Sequence, residues 1–260
     1  MKKNDTINVY WAPRYLDDIA DWNIIYPNPT TLFYDNQIKQ TENTNIIKRS
    51  IFGIDTRDNF FSCPAVKDIM KNTYIFKNTI ECEYEYDFTG ENKVIYPTTQ
   101  GHITFKIERE PSIVSGPLVE FNMSYILFAD QPLIATFTAP FFHESKYTKY
   151  GSVVPGEFDI GQWFRPFNCE IQLWKNSGSI KFEHDEPLVY VKFNTDKKIK
   201  MHRFNINDRL NKIIRTGISL RGWHKTKGVL SPYYYLFNRS SMKDLVLKEI
   251  KNNLVDKEYE

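Results

Sequence analysis

Glycine is scarce in this chain, with 11 residues in 260, and none sits in a phosphate cradle. Neither GxGxxG nor GxxxxGK followed by Ser or Thr occurs, and no GxSxG elbow is present. These gaps exclude dinucleotide-dependent dehydrogenases, P-loop enzymes and α/β-hydrolases, which need such backbone turns. The three cysteines, Cys63, Cys82 and Cys169, are odd in number and form no CxxC pair. A zinc ribbon or a disulfide framework is therefore excluded, and reduced thiols in the cytoplasm are the expectation. Excess charge is lacking too: a net +2 leaves no global field for nucleic acid or a membrane surface. No apolar run reaches the roughly 18 residues that span a bilayer, so no membrane partner is expected. The first residues, MKKNDTINVYWAPRYLDD, have two lysines with no apolar segment behind them, unlike a secretory signal.

Aromatic residues are abundant. The 19 Phe, 16 Tyr and 5 Trp supply ample core material and argue against a disordered chain. The weight of Asn, Lys, Ile, Tyr and Phe fits an AT-rich genome such as that of many bacteriophages, where the host cytoplasm would be the compartment. The length suits one large β domain or two smaller ones.

Strand periodicity dominates the middle of the chain. Ile80, Cys82, Tyr84, Tyr86 and Phe88 alternate with Glu81, Glu83, Glu85 and Asp87, the two-residue period of a half-buried strand. Tyr74–Phe76, Ile103–Ile107, Leu118–Phe128 and Leu133–Ala139 are further strands. From Gly156 to Phe193, Phe167, Cys169, Ile171 and Leu173 alternate with polar residues. Asn176-Ser177-Gly178 then turns the chain, Ile180 and Phe182 resume the alternation, and Leu188–Phe193 reads as a mostly buried strand. Many strands at short spacing predict a mainly β fold, an antiparallel β-clip or jelly-roll-like core with a C-terminal helical segment. The expected organisation is an aromatic arm of loops and short strands over 1–73, the β core over 74–204, and a basic helical segment over 205–260. In the last, Asn207 caps a helix carrying Leu210, Ile213 and Ile214 that ends at Gly217. Ser240 or Ser241 caps a second, with Met242, Leu245, Val246, Ile250 and Leu254 inward and Lys243, Asp244, Lys248, Glu249 and Lys251 outward.

Four constellations could carry chemistry. The carboxylates of Glu81, Glu83, Glu85 and Asp87 lie about 7 Å apart along one strand face. They read as a solvated face paired with lysines such as Lys77, Lys93 or Lys106, the other reading being a cation site. Of the five histidines, His102, His143 and His184 could converge on a metal in a jelly roll, although no HxH or HExxH spacing marks them. Asp159 and Arg165, with Trp163 between them, could bind a nucleotide or small ligand, the carboxylate activating water and the guanidinium holding phosphate. The other reading of these residues is an ordinary charged β-turn. From Arg209 to Lys227 the chain carries Arg215, Arg221, Lys225 and Lys227 with Trp223 and no acid inside, a candidate phosphate or nucleic-acid contact or simply a solvated basic face.

The stretch Trp163–Phe167, Trp174 and Phe182-Glu183-His184-Asp185-Glu186-Pro187, together with Gly101-His102-Ile103-Thr104-Phe105, resembles an uncharacterised family of bacterial and phage proteins. That family has no established activity. More loosely, the order Asp159, Trp163, Asn176, Ile180 and a closing apolar strand resembles the β-clip core of trimeric dUTP pyrophosphatases. This resemblance implies a deoxyuridine pocket lined by Asp159 and Trp163. The P-R-S-G and D-A-G-x-D motifs and the glycine-rich C-terminal arm of that family are absent here. The first functional expectation is thus a non-enzymatic protein that binds a ligand or assembles with copies of itself. The second is an enzyme on the same scaffold, a nucleotide hydrolase or a metal-dependent oxygenase. No cofactor is specified by the sequence.

Overall fold

A computed structural model describes residues 6–13, 30–31, 64–78, 81–90, 94–97, 105–107, 116–223, 231–239 and 241–255. The largest sheet runs in the order β14 (Lys198–Arg203), β1 (Thr6–Pro13), β7 (Leu118–Ala129), β11 (Pro166–Leu173) and β9 (Gly151–Val153). A short strand, β6 (Phe105–Ile107), pairs with the first part of β7 on the edge that β1 takes further along. A five-stranded sheet has the order β10 (Gly156–Asp159), β8 (Ile134–Thr138), β13 (Pro187–Phe193), β3 (Thr73–Lys77) and β2 (Thr30–Thr31). A three-stranded sheet places β4 (Cys82–Asp87) between β12 (Ser177–Phe182) and β5 (Val94–Pro97). The molecule is thus mainly antiparallel β, with a short helix α1 (Pro64–Met70) before β3 and further helices at its C-terminal end, as the periodicity predicts.

One pair departs from the antiparallel rule. β1 and β14 run parallel, from Thr6 opposite Lys198 to Trp11 opposite Arg203. Parallel neighbours need a long crossover, and here residues 14–197 lie between the two strands. β1 is therefore not peripheral: it lies inside the sheet, hydrogen-bonded on both edges.

The side chains of β1 and β7 explain that position. Ile7, Val9 and Trp11 join Tyr125, Leu127 and Ala129 in a core shared with the smaller sheets, where the Phe76 and Tyr125 rings meet at 5.0 Å. On the opposite face Tyr10, Ala12, Ile126 and Phe128 enter a second core with Phe164 and Phe204. That core is closed by Leu210 and Ile214 of α2 (Asp208–Trp223), Phe237 of α3 (Ser231–Arg239), and Val246 and Ile250 of α4 (Met242–Asn252). A strand apolar on both faces suits a sheet covered on both sides.

The predicted alternation holds where one face is wet. In β4, Cys82, Tyr84 and Tyr86 are buried while Glu85 and Asp87 are exposed. In β11, Cys169, Ile171 and Leu173 point inward.

Three helical expectations are corrected. Asn207 does cap α2, its Oδ1 accepting the Leu210 N–H at 2.9 Å, but the helix passes Gly217 and runs to Trp223. A glycine stops a helix when it turns left-handed, and among the described glycines only Gly178 has a positive φ. Glu249 is not outward: it is buried, ion-paired to Arg209 at 2.7 Å and bonded by the Asn207 amide. Leu254 lies beyond α4, exposed, in an isolated antiparallel bridge with Phe204. Ser241 holds the N-cap position of α4, without a side-chain capping bond.

Phe204 joins the end of β14 to the helical layer and is fully buried. Phe204→Ala is expected to cost about 3–5 kcal/mol, measured as a fall in the urea unfolding free energy; a loss below about 1 kcal/mol would contradict the packing described.

Candidate functional site

Asp159, Trp163 and Arg165 come together where β10, the turn after it and α3 meet. Asp159 is the last residue of β10, and its backbone N–H donates to the Tyr234 hydroxyl of α3 at 3.1 Å. Its carboxylate faces inward and is only 8% exposed. One oxygen accepts the Gly161 N–H at 2.9 Å and the Leu133 N–H at 3.0 Å; the other accepts the Gln162 side-chain amide. Gln162 is tied in turn by Asn238 of α3. The turn sits hard against the Gln131 carbonyl, which a Cβ at Gly161 would approach to 2.3 Å. Asp159 thus pins two loops by accepting their N–H groups, and holds one helix by donating its own N–H to the Tyr234 hydroxyl.

Trp163 lies beneath this turn. The Phe158 ring stacks on it at 5.0 Å, Tyr234 meets it edge-on at 6.5 Å, and the Arg165 guanidinium lies 4.8 Å from its centroid. Arg165 is 7% exposed, with its guanidinium over the indole face. Burial raises the Tyr234 phenol above its ordinary value, keeping it a neutral hydrogen-bonding group.

The segment Phe182–Pro187 forms a second turn of the same kind. Glu186, also buried, accepts the N–H groups of Lys146, Tyr147 and Glu183, which fixes the 3-10 turn Lys146–Lys149 to the start of β13. Ser145 adds a bond to the Pro187 carbonyl at 2.7 Å. Asp185 takes a left-handed φ of 63° and pairs with Lys77 at 2.8 Å.

The remaining sequence candidates are dispersed. His143 is half-buried, with Nδ1 against the Tyr190 hydroxyl, and burial followed by the nearby Lys77 lowers its pKa. His184 is exposed in a turn, and His102 lies outside the described residues. Among the described residues no three His, Cys, Asp or Glu side chains group as metal ligands. On the acidic strand Glu81 pairs with a lysine, Lys181, at 2.8 Å, Glu85 accepts the Tyr96 hydroxyl across the strands, and Asp87 accepts from Thr89 two residues on, whereas Lys77 pairs with Asp185 and the Lys106 side chain lies outside the described residues. Lys93 lies outside the described residues. Arg215 is exposed on α2; the Arg221 side chain, Lys225 and Lys227 lie outside the described residues.

A polar group that the sequence reading passed over spans three strands. Asn8 of β1 donates to Asp130, just after β7, at 2.7 Å, and His202 of β14 bonds the Asn8 amide oxygen at 3.0 Å. The only sequence hint was a polar residue interrupting an apolar strand. No family model matches the chain, and neither a curated protein nor a solved structure matches it.

If Asp159 is a turn anchor, Asp159→Ala leaves buried N–H groups without an acceptor and costs about 2–4 kcal/mol of stability. Asp159→Asn, which keeps one acceptor oxygen, loses less. Chemical denaturation of the two variants checks this, and equal stability of wild type and Asp159→Ala would contradict the anchor role.

Proposed function

We propose that this chain is a non-enzymatic β protein that works by association, assembling with copies of itself or holding a ligand. The observation that carries the reading is the internal commitment of Asp159 and Arg165: the carboxylate binds backbone and amide N–H groups, and the guanidinium covers Trp163. In this reading the two groups hold the fold together rather than activate water or bind a phosphate. Association surfaces are available instead. Among the described residues β5 is an edge strand with Val94 and Tyr96 exposed, and Phe141, Trp174 and Tyr235 expose large rings elsewhere. Open strand edges and exposed aromatic rings are common raw material for contacts between chains.

A cytoplasmic setting agrees with the buried thiols of Cys82 and Cys169. Burial pushes Cys82 up to about 12 and raises Cys169 as well, so both stay protonated. Among the described residues no helix is long and apolar enough to cross a membrane. A phage origin rests on the composition and on the resemblance of Trp163–Pro187 to the uncharacterised bacterial and phage family.

One observation favours a second reading. Asp159 and Trp163 both touch Tyr234, and a nucleotide hydrolase of the kind the resemblance to dUTP pyrophosphatases suggests would use residues so placed. Light scattering across a concentration series, with thermal unfolding against nucleotides and divalent metals, separates the two. The proposal expects a defined oligomer whose midpoint does not respond to nucleotides. A monomer at every concentration, stabilised by a nucleotide in wild type but not in Asp159→Asn, would overturn it in favour of the hydrolase.

A further inference from the structure

The backbone of β14 has one edge on β1 and another that is only partly used. In a parallel pair, alternate residues of a strand turn their N–H and C=O groups toward the neighbour. Phe204 N–H donates to the Trp11 carbonyl at 3.0 Å, so the even-numbered residues of β14 face β1. The odd-numbered residues face away. Arg203 does so, and its carbonyl accepts the Val255 N–H at 3.0 Å. Asn205 N–H donates to the Asn253 carbonyl at 2.9 Å, which completes an antiparallel bridge with Phe204 opposite Leu254. Among the described residues no strand carries this pairing further, so the backbone groups of Met201 and Ile199 lie on an open edge.

The side chains along that edge are basic on one face. At the border of the helix-side core β14 carries Lys198, Lys200 and His202 on successive same-face positions, Lys198 exposed and the other two half-buried. Their neighbours on β1 are Thr6, Asn8 and Tyr10, none of them acidic. Beyond these, Asp130 accepts the Asn8 amide at 2.7 Å.

The sequence after Val255 reads Asp256-Lys257-Glu258-Tyr259-Glu260, which lies outside the described residues. Continuing the register of the bridge sets Asp256 opposite His202, Glu258 opposite Lys200 and Glu260 opposite Lys198. Each acid of the segment then meets a basic side chain of β14 on one face. Lys257 and Tyr259 fall on the other face, opposite Met201 and Ile199, which pack with the sandwich core. A slip of one residue would turn the three acids toward that core and lose all three pairs.

We propose that the open edge of β14 is the seat of residues 256–260, which add to the large sheet as an antiparallel edge strand held by charge. Facing residues of such a ladder have Cβ atoms about 5 Å apart, within reach of a carboxylate and an ammonium group. The segment closes, within its own chain, an edge that would otherwise template pairing with another molecule. It also ties the end of α4 to the sheet beyond the bridge at Phe204. Its hold is electrostatic and close to the surface, so salt weakens it.

Hydrogen exchange of the full chain, near neutral pH and in low salt, reads the seat directly. The Lys200 and His202 N–H groups face β1 and are protected whether or not the seat is filled. Those of Ile199 and Met201 are protected only if a strand lies outside them. The expected result is protection of Ile199 and Met201 in wild type at every protein concentration. Glu258→Lys sets a lysine opposite Lys200 and should lower that protection about threefold or more. Lys200→Glu should do the same, and the two substitutions together should restore it. Fast exchange of Ile199 and Met201 in wild type would overturn the proposal. Protection that grows with concentration would overturn it in favour of a second copy on this edge. Protection unchanged by Glu258→Lys would overturn it in favour of another occupant. Should a variant not fold, wild type in about 1 M salt decides: Ile199 and Met201 should lose protection while Lys200 and His202 keep theirs, and no difference between the two pairs would overturn the seat equally.

Discussion

Two-sided burial of β1 and β7 is the constraint on which the rest of the molecule depends. Every apolar side chain of Val9–Ala12 is sequestered, alternately in the sandwich core and in the helix-side core. Such a strand cannot face water on either side, so both the smaller sheets and the three C-terminal helices are required to cover it. At about 25 cal/mol per Å² of apolar surface removed from water, a pair of such strands makes a large share of the folding free energy. The two cores are thus coupled through one layer of backbone, and damage on the helix side reaches the sandwich through β1.

Around that layer, the chain uses buried carboxylates as fasteners. Asp159 and Glu186 have different sequence settings and the same role, each gathering N–H groups from separate loops at the end of a strand. Glu249 works similarly between helices, holding Asn207 and Arg209 of the α2 start. A buried carboxylate is costly unless its oxygens are occupied, and here backbone donors and an arginine occupy them. The proposal of association draws on this shared pattern, in which the oxygens of Asp159 and Glu186 accept N–H groups from within the fold.

The legible part of the fold is the part with one wet face. The alternation of β4 and β11 is explicit in the residues, and so is the helical stripe of Val246 and Ile250. The arm expected over 1–73 allows for a short strand, but the central place of β1 in the large sheet was hidden because burial on both faces erases the two-residue period. The inward turn of Glu249 was hidden because its partner Arg209 lies 40 residues away. Long-range pairing also concealed the border cluster: Asn8 meets Asp130 across 122 residues and His202 across 194. Of the candidate site, the meeting of Asp159, Trp163 and Arg165 followed from their nearness in sequence. Their use did not, since it depends on loops at Leu133 and on α3, which no local spacing reveals.

Native-state hydrogen exchange at pH 7.5 tests the central role of β1 most directly. Amides of Val9–Ala12 and of the middle of β7 should exchange only through global unfolding, with protection equal to the full unfolding free energy. Amides of the three-stranded sheet should open at lower cost. If β1 amides instead exchanged by a cheap local opening while β7 and the sandwich stayed protected, β1 would be a peripheral arm and the two cores would not depend on it.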